Sequence, residues 1–88
     1  MAYRLELAKR ARKQLDLLPS DERARILTAL AQLADDPYSG DIKRLKGYRF
    51  GWRRRVGAYR VFYDLDPVQR VIVVALIERR TTTTYRGR

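Results

Sequence analysis

Arginine, lysine and tyrosine are the side chains through which this sequence could do chemistry, and they are concentrated in one region. The stretch Trp52-Arg53-Arg54-Arg55-Val56-Gly57-Ala58-Tyr59-Arg60-Val61-Phe62-Tyr63 sets a block of guanidinium groups inside a hairpin-like pattern. From Lys43 to Arg60 there are eight basic residues and no acidic one. A second acid-free basic segment, Arg79 to Arg88, follows the last apolar run. A solvated surface normally mixes charge signs. Two one-sign clusters flanking a hydrophobic strand predict one electropositive site assembled across a sheet, and a phosphate backbone is the ligand that fits it. Alternate residues of a strand share a face, so Arg53 and Arg55 are expected on one side, with Trp52 and Arg54 on the other. Tyr48 and Phe50 are expected to join Trp52 toward the core. Arg60, just across the turn, joins Arg53 and Arg55 if the hairpin register suits.

Other chemistries lack their side chains. With no His and no Cys, an imidazole-based triad, a thiolate zinc site and imidazole acid–base catalysis are excluded. Asp35-Asp36 and the pair Asp64 and Asp66 lie where helix ends and turns use aspartate anyway. Ser20 and Ser39 fall at a helix start and in a loop, and no glycine-rich phosphate loop is present. No metal and no cofactor are expected.

At 88 residues the chain is read as one domain, 1–88, without disulfides. Its net charge of +10 repels itself in the compact state, so an anionic partner is stabilising. Nucleic acid is the first candidate and an acidic protein the second. A membrane surface is disfavoured because most of the charge sits on arginines in strand-like sequence, not on a basic amphipathic helix. No apolar run approaches the roughly 20 residues of a membrane span, and Met1-Ala2-Tyr3-Arg4-Leu5-Glu6 lacks a signal-peptide core. A soluble, cytoplasmic protein is expected.

The elements that must position these residues follow from periodicity. Tyr3, Leu5 and Leu7 alternate with Arg4 and Glu6 as a half-buried strand. Ala11, Leu15 and Leu18 then recur at helical spacing, and Pro19 ends that helix. Ser20 is a plausible N-cap for a second helix, with Asp21 and Glu22 complementing its dipole and Ile26, Leu27, Leu30, Leu33 and Ala34 forming its stripe. Asp35-Asp36-Pro37 terminates it, and a polar loop runs through Ser39-Gly40-Asp41. Tyr48 to Arg55, Tyr59 to Asp64 and Val71 to Ile77 read as three strands. Gly57 supplies a positive-φ turn between the first two. The last run is continuously apolar, as for a strand covered on both faces. The fold class is α+β: a helical hairpin packed on a mostly antiparallel sheet, in the order β-α-α-β-β-β, with a short basic tail. Where the first strand joins the sheet is left open.

Over nearly its full length the chain resembles the RelE branch of the RelE/ParE superfamily of toxins from type II toxin–antitoxin systems. The likeness rests on Leu45-Lys46-Gly47, on the Trp52-to-Tyr63 hairpin with Gly57 and Tyr59-Arg60-Val61-Phe62-Tyr63, and on Arg79 with Tyr85. It implies a toxin that cuts messenger RNA in the ribosomal A site through attack of a 2′-hydroxyl on the adjacent phosphate. It also implies a cognate acidic, RelB-like antitoxin as partner. By the same resemblance Arg60 steadies the phosphate and Arg79 protonates or stabilises the leaving oxygen. Tyr85 stacks on a base and orients or deprotonates the 2′-hydroxyl. Lys46 lies beside the site, and Lys43, Arg44, Arg53 and Arg80 contribute to RNA binding.

Arg53 and Arg55 fall where the family's RNA-cleaving members carry lysines. A guanidinium stays protonated, so Arg55 can stabilise charge but is a poor base. Tyr85 is then the better candidate, or else rate comes from electrostatics and alignment alone. Two other readings stay open: a ParE-like gyrase inhibitor that cleaves nothing, and a plain nucleic-acid-binding module. The segment Thr81 to Thr84 reads as a β-prone connector.

Overall fold

Side-chain periodicity carries through to the fold, which a computed structural model describes for residues 2–80. The elements are β1 (Arg4–Leu7), α1 (Lys9–Asp16), α2 (Ser20–Asp35), β2 (Ile42–Arg44), β3 (Trp52–Val56), β4 (Tyr59–Asp66) and β5 (Val71–Arg79). The strands form one sheet in the order β1-β5-β4-β3-β2. β1 lies parallel to β5, and every other neighbour is antiparallel. The α+β expectation therefore holds, and the open question about the first strand is answered at the β5 edge. The short β2 is an addition: Ile42-Lys43-Arg44 has one apolar residue, too little to show a period.

Both helices pack on the same face of the sheet. Ala11 and Leu15 of α1 and Ile26, Leu30 and Leu33 of α2 meet Tyr59, Val61, Tyr63, Ile72, Val74 and Ile77 in the core. Burial of each large apolar side chain contributes about 1.5–3 kcal/mol, which is where most of the stability must come from. Asp21 and Glu22 occupy the first turn of α2 as expected. Ser20 is not the cap, however: Pro19 takes that position and no side chain caps the helix. Pro19 has no N–H and its ring already fixes φ, so the helix starts there without a hydroxyl.

The second face corrects two expectations. Among the described residues no helix covers it, so β5 is not enclosed on both sides. Ile72, Val74 and Ile77 are buried, while Val71, Val73, Ala75 and Leu76 stay half-buried. Tyr48 and Phe50 are not in the core with Trp52 but on this open face, where they close over Phe62 at centroid distances of 5.6 and 6.1 Å. Alternation does not extend back from Trp52, because the chain turns at Gly47 (φ 65°) and the Gly51 N–H donates to Asp64 Oδ1 at 2.9 Å. Trp52 itself faces the core, stacked on Tyr63 at 6.4 Å.

The β4–β5 ladder contains one irregularity with large consequences. Phe62 pairs with Leu76 but Tyr63 pairs with Val74, which leaves Ala75 as an extra residue on β5. A one-residue insertion reverses the face of everything beyond it. Ile72 and Val74 point at the helices before the bulge, and Ile77 and Arg79 do so after it. Glu78 is thereby delivered to the open face. Gln14 Oε1 accepts a hydrogen bond from the Ile77 N–H at 2.9 Å and ties the reset strand to α1.

Arg54, on the helix side as expected, is buried. Its Nη2 donates to Gln32 Oε1 at 2.6 Å, and Nη1 to the Ala29 carbonyl at 3.5 Å and Ser39 Oγ at 3.4 Å. Gly40 makes room for it: at φ 78°, a Cβ there would sit 2.5 Å from Arg54 Cζ. We expect Gly40→Ala to lower unfolding free energy by about 1–3 kcal/mol in denaturant titrations, from the left-handed backbone together with displacement of the guanidinium.

Nearby, the Tyr63 hydroxyl donates to the Pro37 carbonyl at 2.9 Å. Burial pushes its pKa from 10 up to about 12, with the positive Arg54 opposing the rise. A phenol whose pKa is raised on folding stabilises the native state below the unfolded value and loses that contribution as pH climbs through the folded one. Stability should therefore fall between pH 10 and about 12. Tyrosinate absorbance should show a group titrating near pH 12 that disappears in Tyr63→Phe, and a Tyr63 that titrates with the exposed tyrosines would contradict this.

Candidate nucleic-acid interface

The β3–β4 hairpin builds the basic face. Gly57 takes φ 57° in the two-residue connection, which fixes Val56 opposite Tyr59. That register sets Arg55 across from Arg60 and Arg53 across from Phe62, while β2 sets Lys43 across from Arg53. Arg53, Arg55 and Arg60 thus share the open face, as the alternation predicts, and the pairing of β2 adds Lys43 to it. Beside them lies a cleft of about 270 Å³ lined by Lys43, Leu45, Tyr48, Arg53, Arg60, Phe62 and Glu78.

Like charges placed directly across a ladder destabilise it by a few tenths to about 1 kcal/mol. Each partner of the Arg55/Arg60 pair has its own carboxylate. Arg55 Nε donates to Asp41 Oδ2 at 3.0 Å, and Arg60 Nη2 to Glu78 Oε1 at 3.2 Å. Both ion pairs are substantially exposed, so they contribute little to stability, and an incoming phosphate can compete for either guanidinium. The Nε atoms of Arg53 and Arg60 are buried and donate to no protein atom among the described residues. These side chains therefore lie pressed against the sheet, with the terminal nitrogens of Arg53 and Nη1 of Arg60 left for a ligand. Tyr48 is 54% exposed over Phe62, offering a ring on which a base can stack next to the cations.

Other residues read from the sequence lie elsewhere. Arg44 is opposite Trp52 on the helix side, its Cζ 5.7 Å from the indole. Lys46 is exposed in the loop before β3. Arg79 is opposite Tyr59, again on the helix side, with Cζ 5.8 Å from that ring. The Tyr59 hydroxyl donates to Glu22; this bond first, then burial, raises its pKa above 10, and Arg79 opposes the shift. The Arg80 N–H donates to the Ala58 carbonyl at 2.6 Å and carries the pairing one residue past β5. Alternation then returns Arg80 to the face of Arg60. Tyr85 and the Thr81–Thr84 connector lie outside the described residues. The aspartates do the work of turns: Asp36 Oδ1 accepts from the Tyr38 N–H, and Asp66 Oδ1 accepts from the N–H groups of Val68 and Gln69.

Comparison with known proteins identifies the family. The family model described as ParE toxin of type II toxin-antitoxin system, parDE, matches residues 5–82. The chain belongs to the RelE/ParE superfamily of type II toxin–antitoxin toxins. It is 34% identical over 83 residues to the putative toxin RelE1 of Methanocaldococcus jannaschii, covering 91% of this chain and 92% of that one. The toxin's fold is similar to the RelE–RelB complex from Pyrococcus horikoshii OT3, with TM-score 0.80, 29% identity, and coverage of 93% of this chain and 99% of that chain. It also matches the isolated E. coli RelE toxin, with TM-score 0.77, 22% identity, and coverage of 91% and 86%, a likeness of fold.

Sequence reading missed three residues of this toxin's basic face: Tyr48, Asp41 and Glu78. A signal existed for Glu78, which is the one acid between Pro67 and Arg88. If the open face is the RNA-binding surface, each phosphate contact should add about 0.7 to the slope of log affinity against log salt for a single strand. Arg53→Ala is expected to reduce that slope by roughly this amount, whereas Arg44→Ala, on the other side of the sheet, should change it by less than about half as much. Filter binding of an RNA with a 2′-deoxy linkage across a salt series measures both. Equal effects from the two variants would mean that binding does not distinguish the faces.

Proposed function

We propose that this toxin is a ribosome-dependent endoribonuclease, a cytoplasmic mRNA interferase that inhibits translation by cutting message in the A site. The observation that carries this reading is the cluster of Lys43, Arg53, Arg55 and Arg60 on one uncovered sheet face, beside an exposed aromatic and a cleft of about 270 Å³. In the reaction, Arg60 and Arg55 hold the scissile phosphate and stabilise the charge that grows on it in the transition state. Arg53 and Lys43 position the adjoining backbone. Tyr85 orients the 2′-hydroxyl, which attacks the phosphorus and leaves a 2′,3′-cyclic phosphate and a 5′-hydroxyl.

The register bears on the leaving group. To reach it, Arg79 would have to leave the Tyr59 ring and cross the sheet, whereas Arg80 follows Glu78 on the face of Arg60. We therefore assign contact with the leaving oxygen to Arg80 ahead of Arg79. The guanidinium groups supply the positive charge that a divalent ion provides at many phosphoryl centres, so the chemical step needs no metal.

An antitoxin is the partner that fits the complexes in which the Pyrococcus and Methanococcus relatives were solved, both of RelE with RelB. Its carboxylates would oppose the basic face and accelerate association at low salt. No described helix is long and apolar enough to cross a membrane.

The reading is tested on programmed ribosomes stabilised by crosslinking, with cut ends mapped by their 2′,3′-cyclic phosphates. Cleavage should persist in excess EDTA. Arg60→Ala should lose roughly 100- to 1,000-fold in single-turnover rate, and Arg80→Ala should lose more than Arg79→Ala. A chain that cuts no message but traps gyrase on DNA would transfer the toxin to the non-nucleolytic branch. Cleavage that vanishes only in Arg79→Ala would restore that residue to the leaving oxygen.

A further inference from the structure

We propose that Glu78 is the general base of the cleavage reaction, an inference that rests on the ribonuclease reading above. The bulge at Ala75 turns Glu78 onto the open face, where it lines the same cleft as Arg53, Arg60 and Tyr48. Its Oε1 lies 3.2 Å from Arg60 Nη2. Among the described residues lining that cleft, it contributes the only carboxylate. The arginines there cannot accept a proton at any useful pH.

Stability does not account for this acid. The Arg60 and Glu78 side chains are 36% and 45% exposed, and ion pairs so open to water contribute about 0–1 kcal/mol. Meanwhile its negative charge opposes phosphate binding on a face otherwise made of cations. A base placed against a phosphate-holding guanidinium accounts for both facts. The planar guanidinium of Arg60 carries several donors, so it can hold the carboxylate through Nη2 and a phosphate oxygen through Nη1. The 2′-hydroxyl of the nucleotide whose phosphate is gripped then falls beside the carboxylate.

The step balances without any further reactant. Glu78 takes the proton of the 2′-hydroxyl as the 2′-oxygen forms its bond to phosphorus. The bond from phosphorus to the 5′-oxygen breaks, and that oxygen takes a proton from water. Glu78 returns its proton to the hydroxide so formed. Tyr85 is left with stacking and alignment.

The test is single-turnover cleavage by the full chain on programmed ribosomes, paired with its affinity for ribosomes whose message is 2′-deoxy at the cut site. Glu78→Gln keeps an oxygen acceptor for Arg60 but cannot take the proton, so its rate should fall roughly 100-fold or more while affinity stays within about threefold or tightens. Glu78→Asp keeps the carboxylate one methylene further back and should recover at least about tenfold over Gln. A Glu78→Gln rate within tenfold of the parent, or above it, would reduce Glu78 to a counter-ion of Arg60. Equal losses in Gln and Asp would make it a spacer for the guanidinium and overturn the proposal. Both results leave the ribonuclease reading standing, provided Arg60→Ala is inactive. A parent chain that binds programmed ribosomes and cuts nothing would remove both.

Discussion

With helices packed on one side only, the described sheet has a covered face and an open one, and strand alternation assigns every side chain to one of them. On β5 the phase of that alternation is reset at Ala75, the residue left over where Phe62 pairs with Leu76 and Tyr63 with Val74. Without the extra residue, the phase of Ile72 and Val74 would carry Leu76 and Glu78 beneath the helices and turn Arg79 outward. A carboxylate would then be buried against the apolar stripe of α1, at a desolvation cost of several kcal/mol. The bulge removes that conflict and at the same time brings an acid beside Arg60. One backbone irregularity therefore satisfies the core and sets the chemistry of the opposite face.

The three consecutive arginines of β3 show how far burial can separate identical side chains. Arg54 lies under α2, where its terminal nitrogens donate to neutral oxygens of Gln32, Ser39 and the Ala29 carbonyl while its buried Nε donates to no protein atom among the described residues. Among the described residues no carboxylate pairs with it, and the space it occupies exists because position 40 has no Cβ. Arg53 lies partly covered on the open face. Arg55 is exposed and held by Asp41 from the loop before β2. Only the latter two lie on the open face. The buried member instead ties the sheet to α2 and the loop after it, the frame on which Lys43 and Asp41 are carried.

How much of this could be read in the sequence depended on whether the deciding interaction was local. The helices, the Gly57 turn and the common face of Arg53, Arg55 and Arg60 follow from periodicity and from a two-residue connection, both visible within a dozen residues. The position of β1, the strand β2 and the bulge at Ala75 arise from pairing between distant segments, which leaves no period to detect. Tyr48 and Phe50 were misplaced for a related reason. Their alternation with Trp52 is real in the sequence, but Gly47 and the bond from Gly51 to Asp64 break the strand that would have given it meaning. The faces taken by Glu78 and Arg79 had no signal in the sequence, because the continuously apolar run before them shows no two-residue period and the strand contains an odd step.

These positional facts constrain the chemistry more tightly than composition does. A surface furnished with guanidinium groups can bind a phosphate and lower the energy of a more highly charged transition state, but it cannot remove a proton. Rate enhancement from charge stabilisation alone leaves the 2′-hydroxyl a weak nucleophile. Some group on the same face must therefore accept the proton, or water must do so at lower efficiency. A carboxylate on such a face carries an inherent penalty, since it repels the substrate it acts on. That penalty is smallest where a guanidinium already neutralises it and the same guanidinium also grips the phosphate. On the ribonuclease reading proposed above, residues 60 and 78 would meet that condition, through a cross-strand pairing that aligns them directly. On that reading the register of β4 against β5, set by one unpaired alanine, would determine whether this basic face can do more than bind RNA.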